Sequence, residues 1–294
     1  MTADCEDIEL TLPHLRMAAR RSGNRSGPKL LAIHGWLDNA ASFDAIAPYF
    51  SDHDVVAIDL PGHGRSDHRP RGAWYHYIDY LHDVLCCIDV LQWDRLSVLG
   101  HSLGAAISSV LAAAVPDRID ALYLIEGLGP MGTDDNRTLD LLRAAMSDRA
   151  GIDSKQLRVF ETLEAPEKAR RLHPQMPLTA AAAKAIVARG TREVAGGYVW
   201  SSDPRLTLTS AIRMTEAQIR NCLQGVRCRA HLVLAEPVMP FIDQVLMNER
   251  LALIPQLSVA RLAGSHHLHM ETPQQVAEAL RSPHTSIHPH TNPA

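Results

Sequence analysis

The stretch from Leu96 to Ala114, LSVLGHSLGAAISSVLAAA, constrains the fold more than any other part of the chain. Leu96, Val98 and Leu99 read as the end of a buried strand, and the small apolar run after Leu103 reads as a helix packed on a sheet. Between them, Gly100-His101-Ser102-Leu103-Gly104 fits G-x-S-x-G. A strand that turns sharply into a helix brings the two into close contact, so the positions two residues either side must be small. Such a turn exposes the Ser102 hydroxyl near the positive end of the helix. A glycine-rich turn without chemistry would carry the same letters, but the strand-turn-helix setting makes Ser102 a candidate nucleophile.

The same alternation runs along the chain. Ile8 to Leu12 and Leu15 to Ala19 flank Pro13-His14, which suggests a hairpin at one sheet edge. Lys29 to His34 (KLLAIH) and Asp54 to Asp59 (DVVAID) are compact apolar strands, each followed by a glycine-bearing loop. Asp38 or Asn39 stands where it can cap a helix through Phe43 and Ile46 toward Tyr49. Between Trp74 and Leu91, Tyr77, Leu81, Val84, Leu85, Ile88 and Leu91 have helical spacing with one buried face. Ala121 to Ile125, Ala230 to Ala235 and Leu257 to Leu262 are further short strands, and a last helix runs from Pro273 to Leu280. Buried strands alternating with helices predict an α/β fold with a mostly parallel sheet covered on both faces.

Residues 130–223 break this pattern. Thr138–Met146, Pro166–Leu172, Thr179–Arg189 and Ser210–Leu223 are candidate helices, interrupted at Tyr198 to Pro204, with no clear strand of the sheet. The segment reads as a helical cap or lid inserted into a core made of residues 1–129 and 224–282. Within it Trp200, Asp203 and Arg205 are expected to pin the lid. Residues 283–294, with His284, His288 and His290 among prolines, read as a disordered tail.

Composition closes off several classes. A chain of 294 residues, 46% hydrophobic and 21% charged, can bury a sizeable core and is not expected to be disordered. Its net charge of -4 argues against a general nucleic-acid binder. Cys5, Cys86, Cys87, Cys222 and Cys228 are odd in number and lack zinc spacing, so reduced thiols in a cytoplasm are expected. The first residues lack a basic-then-apolar leader, and no run of about 18 apolar residues suggests a membrane span. The protein is expected to be cytoplasmic, with a small-molecule substrate as its partner.

Four separated motifs agree with one another: His34-Gly35-Trp36-Leu37-Asp38-Asn39, Asp59-Leu60-Pro61-Gly62-His63-Gly64-Arg65-Ser66, Gly100-His101-Ser102-Leu103-Gly104, and Gly264-Ser265-His266-His267-Leu268-His269-Met270-Glu271. Carrying them in this order, the chain resembles the α/β-hydrolase superfamily from Ile8 to Leu280, and within it the serine hydrolase-like proteins. The resemblance implies an eight-strand sheet with a helical cap inserted after the sixth strand.

Serine is a weak nucleophile at its free pKa and needs an adjacent base. His266, His267 and His269 are available in the loop after the last strand. In the superfamily pattern the catalytic histidine precedes a later histidine, an acidic residue and a proline. His269, Glu271 and Pro273 supply these for His266, with His267 as the second choice. Adjacent histidines on one loop rarely converge on one ion without carboxylate partners, so no metal is expected there. The oxyanion calls for backbone N–H donors. One is expected from Leu103 and, by resemblance, the other from Trp36. The superfamily's usual aspartate after the seventh strand is missing from Leu234-Ala235-Glu236-Pro237-Val238-Met239-Pro240-Phe241, which leaves Glu236 and, further on, Asp243. Some relatives carry the acid after the sixth strand, where Glu126 stands in an apolar stretch and needs a partner. Glu126 is the preferred acid, with Glu236 and Asp243 as alternatives.

A serine nucleophile argues against the aspartate-dependent dehalogenases and epoxide hydrolases of this fold. With a histidine base it suits acyl transfer to water from a small, largely apolar ester, thioester or amide. No dinucleotide fingerprint or P-loop is present, so no cofactor is expected. The other classes this scaffold admits are a binding protein whose catalytic power has decayed, and a lyase or cofactor-free oxygenase.

Overall fold

The computed structural model describes residues 5–152, 157–240 and 242–282; the expected disordered tail, 283–294, lies outside them. The chain opens with a hairpin of β1 (Glu6–Thr11) and β2 (Arg16–Gly23), followed by β3 (Lys29–Ile33), β4 (Asp54–Ile58) and α1 (Tyr77–Val90). Next come β5 (Leu96–His101), α2 (Leu103–Ala114) and β6 (Ile119–Ile125). Helices α3 (Thr138–Ile152), α4 (Glu164–Arg171) and α5 (Ala180–Gly190) lead to a hairpin of β7 (Thr191–Val194) and β8 (Gly197–Trp200), then α6 (Glu216–Gln224). The chain returns through β9 (Arg229–Glu236), α7 (Gln244–Leu251), β10 (Leu257–Ala263), α8 (Leu268–Glu271) and α9 (Pro273–Arg281).

Eight strands form one sheet in the order β1-β2-β4-β3-β5-β6-β9-β10. The first three pair antiparallel, and every pairing from β4 to β10 is parallel. This is the mostly parallel sheet that the apolar strands predict, with the eight strands that the resemblance implies. Alternate side chains explain why both faces are covered. Leu31, Ile33, Val56, Ile58, Val98, Leu122, Leu124, Leu232 and Leu234 pack in one core with residues of α1, α2, α6 and α7. Leu30, Ala32, Val55, Ala57, Leu99, Ile125, Val233 and Ala235 pack in the other, against Phe43, Phe50 and the Val276–Leu280 face of α9. Each fully buried leucine or isoleucine contributes about 1.5–3 kcal/mol, so these two layers hold the sheet together from both faces.

Three local expectations change. The stretch from Ala40 toward Tyr49 is not one helix but two 3-10 turns, Ala40–Phe43 and Ala47–Phe50. Pro48 has no N–H to continue a helical ladder. Asn39, not Asp38, caps the first turn, its side-chain oxygen accepting the Ala41 N–H at 3.1 Å. Second, β2 runs on to Gly23 because Arg20 to Gly23 pair with β4, and the Arg21 guanidinium binds the Asp54 carboxylate at 2.8 and 2.7 Å. Third, Tyr198 to Trp200 belong to the β7–β8 hairpin, a separate two-stranded sheet turned at Ala195-Gly196 with Gly196 at φ 87.

Residues of the 130–223 segment dock on the loops that follow β3 and β4. Asn39 donates from its side chain to the Ile186 carbonyl at 2.9 Å, and the Trp36 indole N–H donates to the Leu206 carbonyl at 3.0 Å. The Asp203 N–H reaches the Gly62 carbonyl at 2.8 Å. Arg205 pairs with Asp203 and caps the carbonyls of Pro70 and Ala73 at 2.6 and 3.1 Å. The buried Arg189 guanidinium, projecting from α5, meets both oxygens of Asp59 at 3.0 Å and also binds Asp7. Among the described residues no helix is long and apolar enough to cross a membrane, and all five cysteines are free.

Arg189 and Asp59 decide how firmly the segment is held, because their side chains are 5% and 0% exposed, whereas Arg16 and Glu9 are 58% and 57% exposed. Exposed pairs are worth about 0–1 kcal/mol, but removing one member of a buried pair costs about 3–5 kcal/mol. Arg189→Met is therefore expected to lower the unfolding free energy by about 3–5 kcal/mol in urea titrations. A loss under about 1 kcal/mol would show that Asp59 is satisfied by the Ala40 and Arg65 N–H groups alone.

Candidate active site

Ser102 sits at the tip of β5 with φ 52 and ψ -111, a left-handed-side conformation that L residues rarely adopt. The glycines around it explain how the chain reaches that geometry. A Cβ on Gly104 would lie 1.8 Å from the Ile33 carbonyl oxygen, and one on Gly100 would lie 2.6 Å from the Gly104 carbonyl oxygen. Helix α2 therefore starts pressed against the ends of β3 and β5. The Ser102 N–H donates to the Ile125 carbonyl at 2.9 Å, which ties the turn to the end of β6. Ser102 and Leu103 are both half-buried, and no described residue accepts from the Leu103 N–H. The same holds for the N–H of Trp36, in the loop after β3.

Register brings the other candidates to the same edge. Ile33 pairs with Gly100, His101 with Ile125, and Ile125 with Val233, so the residues that follow these strands share one end of the sheet. Glu126 leaves β6 at φ 55 and is buried, 4% exposed. Its N–H donates to the Val233 carbonyl at 2.9 Å, and its Oε1 accepts the Ala235 N–H at 2.6 Å. Its Oε2 meets Nδ1 of His266 at 3.1 Å. A buried carboxylate with both oxygens engaged is stable where it stands. Glu236 is exposed at the end of β9, and the exposed Asp243 caps α7 by accepting the Leu246 N–H at 3.0 Å. Of the three carboxylates read from the sequence, Glu126 is the one set against the His266 ring.

Around His266 the structure assembles a group that the sequence reading missed. His101 donates from Nε2 to the His266 carbonyl at 2.9 Å, and its ring centroid lies 4.8, 4.9 and 4.3 Å from those of His266, His267 and His269. His267, second choice as base, instead bonds Asp38 through Nε2 at 3.0 Å. Asp38 also binds Arg170 of α4, so a carboxylate expected as a helix cap joins the histidine loop, the Trp36 loop and the 130–223 segment. His269 meets the Ser42 hydroxyl at 2.8 Å. The signal was present in Asp38 and the doubled histidine, but only the fold shows that they meet. Asp38, His101 and His267 offer ligand atoms within 4.8 Å of one another, as a metal site would. The Asp38 carboxylate is already engaged by the Arg170 guanidinium and His267 Nε2, so an ion would have to displace them.

Electrostatics follow burial. Burial would push the Asp38 carboxyl up, but the charge and hydrogen bond of His267, with Arg170 and His101, hold it well below the usual range. Burial pushes His101 well below its ordinary value, helped by the neighbouring His269, His266 and His267. It pushes His269 down to about 3, and His63 down to about 3. His34, buried at the end of β3, is pushed down to about 4; its Nε2 accepts the Leu60 N–H at 3.0 Å, which requires the neutral ring.

Comparison with known proteins shows the family of this chain. A family model described as the alpha/beta hydrolase fold matches residues 28–164. A serine hydrolase-like protein of Dictyostelium discoideum is 30% identical over 270 residues, covering 87% of this chain and 74% of that protein. A serine hydrolase-like protein of Danio rerio is 27% identical over 293 residues, covering 95% of this chain and 88% of its own length. The crystal structure of a hypothetical protein from Pseudomonas aeruginosa PAO1 superposes with a TM-score of 0.88 at 39% identity, covering 93% of this chain and 97% of that one.

The buried neutral histidines make the fold acid-sensitive. A histidine whose folded value lies below its unfolded value of 6.5 contributes its full stability above that value. It loses about 1.4 kcal/mol per pH unit as the pH falls toward the folded value. His34, His63 and His269 all lie in this class. Asp44, pushed up to about 6 by burial, takes up a proton in the same window and offsets part of one histidine's share, its side chain being 36% exposed. The unfolding free energy is expected to drop by at least about 3 kcal/mol between pH 7 and pH 5 in urea titrations. A flat profile over that range would contradict neutral burial of these rings.

Proposed function

Since the chain belongs to the α/β-hydrolase superfamily and, within it, to the serine hydrolase-like proteins, we propose that it cleaves a small, largely apolar ester, thioester or amide through an acyl-enzyme on Ser102. The observation that carries this reading is the 3.1 Å contact between Glu126 Oε2 and His266 Nδ1, two residues 140 positions apart that meet at the sheet edge bearing Ser102. A carboxylate accepting from Nδ1 keeps the proton there and leaves Nε2 as the base nitrogen. Ser102 Oγ attacks the acyl carbonyl as its proton passes to Nε2 of His266, and Glu126 stabilises the imidazolium that forms. The carbonyl oxygen takes on negative charge, which the N–H groups of Trp36 and Leu103 receive.

His266 then returns the proton to the leaving alkoxide, thiolate or amine, and the acyl group stays on Ser102. Water attacks in the second half, giving its proton to His266, and the Ser102–acyl bond breaks as His266 returns that proton to Ser102 Oγ, releasing the acid and restoring the free serine. In this reading residues 130–223 act as the lid of the site. Their bonds to Trp36, Asp38 and Asn39 support that role, because these three lie in the loop that carries one oxyanion donor. Trp36, 44% exposed, and the half-buried Leu37 and Leu103 are the apolar residues at and beside these two donors in the chain, which favours an apolar acyl group.

A fluorophosphonate probe is expected to label Ser102, with the adduct located by peptide mass mapping and absent in Ser102→Ala. Glu126→Gln keeps the shape of the carboxylate but loses its charge, and labelling is expected to slow by roughly 10²–10⁴-fold. Unchanged labelling in Glu126→Gln would move the acid to Glu236 or Asp243. Absence of adduct in folded wild-type protein would favour a binding protein on the same scaffold.

A further inference from the structure

Far from Ser102, on the outer face of α1, His82 and Cys86 stand one helical turn apart, on the same side of the helix. The turn between β1 and β2 brings His14 to them, its ring stacked on that of His82 with centroids 5.2 Å apart. One ring nitrogen from each histidine and Cys86 Sγ lie within 4.8 Å of one another. From these residues we infer a binding site for a divalent transition-metal ion of the zinc class, held by His14, His82 and Cys86. The motifs of the sequence do not reveal it, because His14 lies 68 positions before His82 and only the fold joins them.

The distances fit the chemistry. Cys86 Sγ and His82 Nε2 are 3.5 Å apart. Tetrahedral zinc, with bonds of about 2.3 Å to sulfur and about 2.0–2.1 Å to nitrogen, sets such a pair about 3.6 Å apart. The support behind His14 is also that of a metal ligand. Its Nε2 bonds the Asp83 carboxylate at 2.8 Å, and Asp83 is 1% exposed and anchored on its other oxygen by Arg69. A carboxylate on one ring nitrogen fixes the imidazole and raises the basicity of the other. Two imidazoles with one thiolate select zinc, cobalt or copper over magnesium or calcium.

Access agrees with this. His14 and His82 are exposed and Cys86 is half-buried, so an ion reaches all three from solvent and a fourth position stays open to water. On binding, a Cys86 S–metal bond replaces the S–H bond and the proton passes to solvent, with no change of oxidation state. The bound ion would clasp the β1–β2 hairpin, at the sheet edge, onto α1.

The test is titration of the chelator-stripped full chain with cobalt(II), followed by absorption. One equivalent is expected to develop a thiolate-to-cobalt charge-transfer band that zinc abolishes by displacement. Cys86→Ser should remove the band, and His14→Gln and His82→Gln should each weaken affinity at least tenfold. Cys86→Ala gives the same readout should the serine variant fail to fold, and thermal melts without metal check each variant. No thiolate band, a band that survives in Cys86→Ser, or unchanged affinity in both histidine variants would overturn the site. Cobalt bound by imidazoles alone, as at histidines elsewhere, gives no such band and also counts against it.

Discussion

The structure depends on how closely α2 approaches the ends of β3 and β5. Gly104 leaves no room for a Cβ against the Ile33 carbonyl, and Gly100 leaves none against the start of the helix. Because that approach is closed, Ser102 is forced to φ 52 at the tip of the turn, with its N–H tied to Ile125. Among the described residues, Leu37 at φ 59, Ser102 at φ 52 and Glu126 at φ 55 are three of the four non-glycine residues with positive φ. Each such residue costs about 1–3 kcal/mol and persists only where its surroundings over-determine it. All three stand at the same end of the parallel sheet, whose two buried layers supply the stability that offsets the strain. Backbone strain, the half-buried serine and the Glu126–His266 bond therefore share one cause in the alignment of β3, β5 and β6.

The polar network beside the site extends that logic to residues 130–223. Asp38 joins His267, on the loop that carries His266, to Arg170 on α4, while Trp36 and Asn39 of the same loop bond Leu206 and Ile186. A movement of this segment would therefore be felt at the loop carrying the Trp36 N–H. Arg189 holds the same segment at a second point, through Asp59 in the loop after β4.

Much of this was legible in the sequence, for a physical reason. Buried parallel strands need continuous apolar runs, so KLLAIH, DVVAID and AHLVLA announce themselves, and a close strand–helix turn needs its glycines at fixed positions. Ser102 follows such a run at its glycine turn, whereas His266 and Glu126 are named by resemblance to the superfamily pattern. Contacts between distant loops were not legible. Asp38 looked like a cap, and nothing local told it apart from Asn39; the fold gave the cap to Asn39 and gave Asp38 to His267 and Arg170. The β7–β8 hairpin was hidden because its short strands are half-exposed, so their pattern is weak. Pro48 was visible, and its effect on the stretch after Asn39 could have been read.

The central claim is that Glu126 and His266 act on Ser102 as one unit. A double-mutant cycle on the rate of covalent labelling at Ser102 tests it most directly, comparing wild type, Glu126→Gln, His266→Gln and the pair. Groups that work as a unit are grossly non-additive. The double variant is predicted to label no more slowly than His266→Gln alone, because Glu126 acts only through that ring. Losses that multiply in the double variant would contradict the account and show that the two residues act on Ser102 independently.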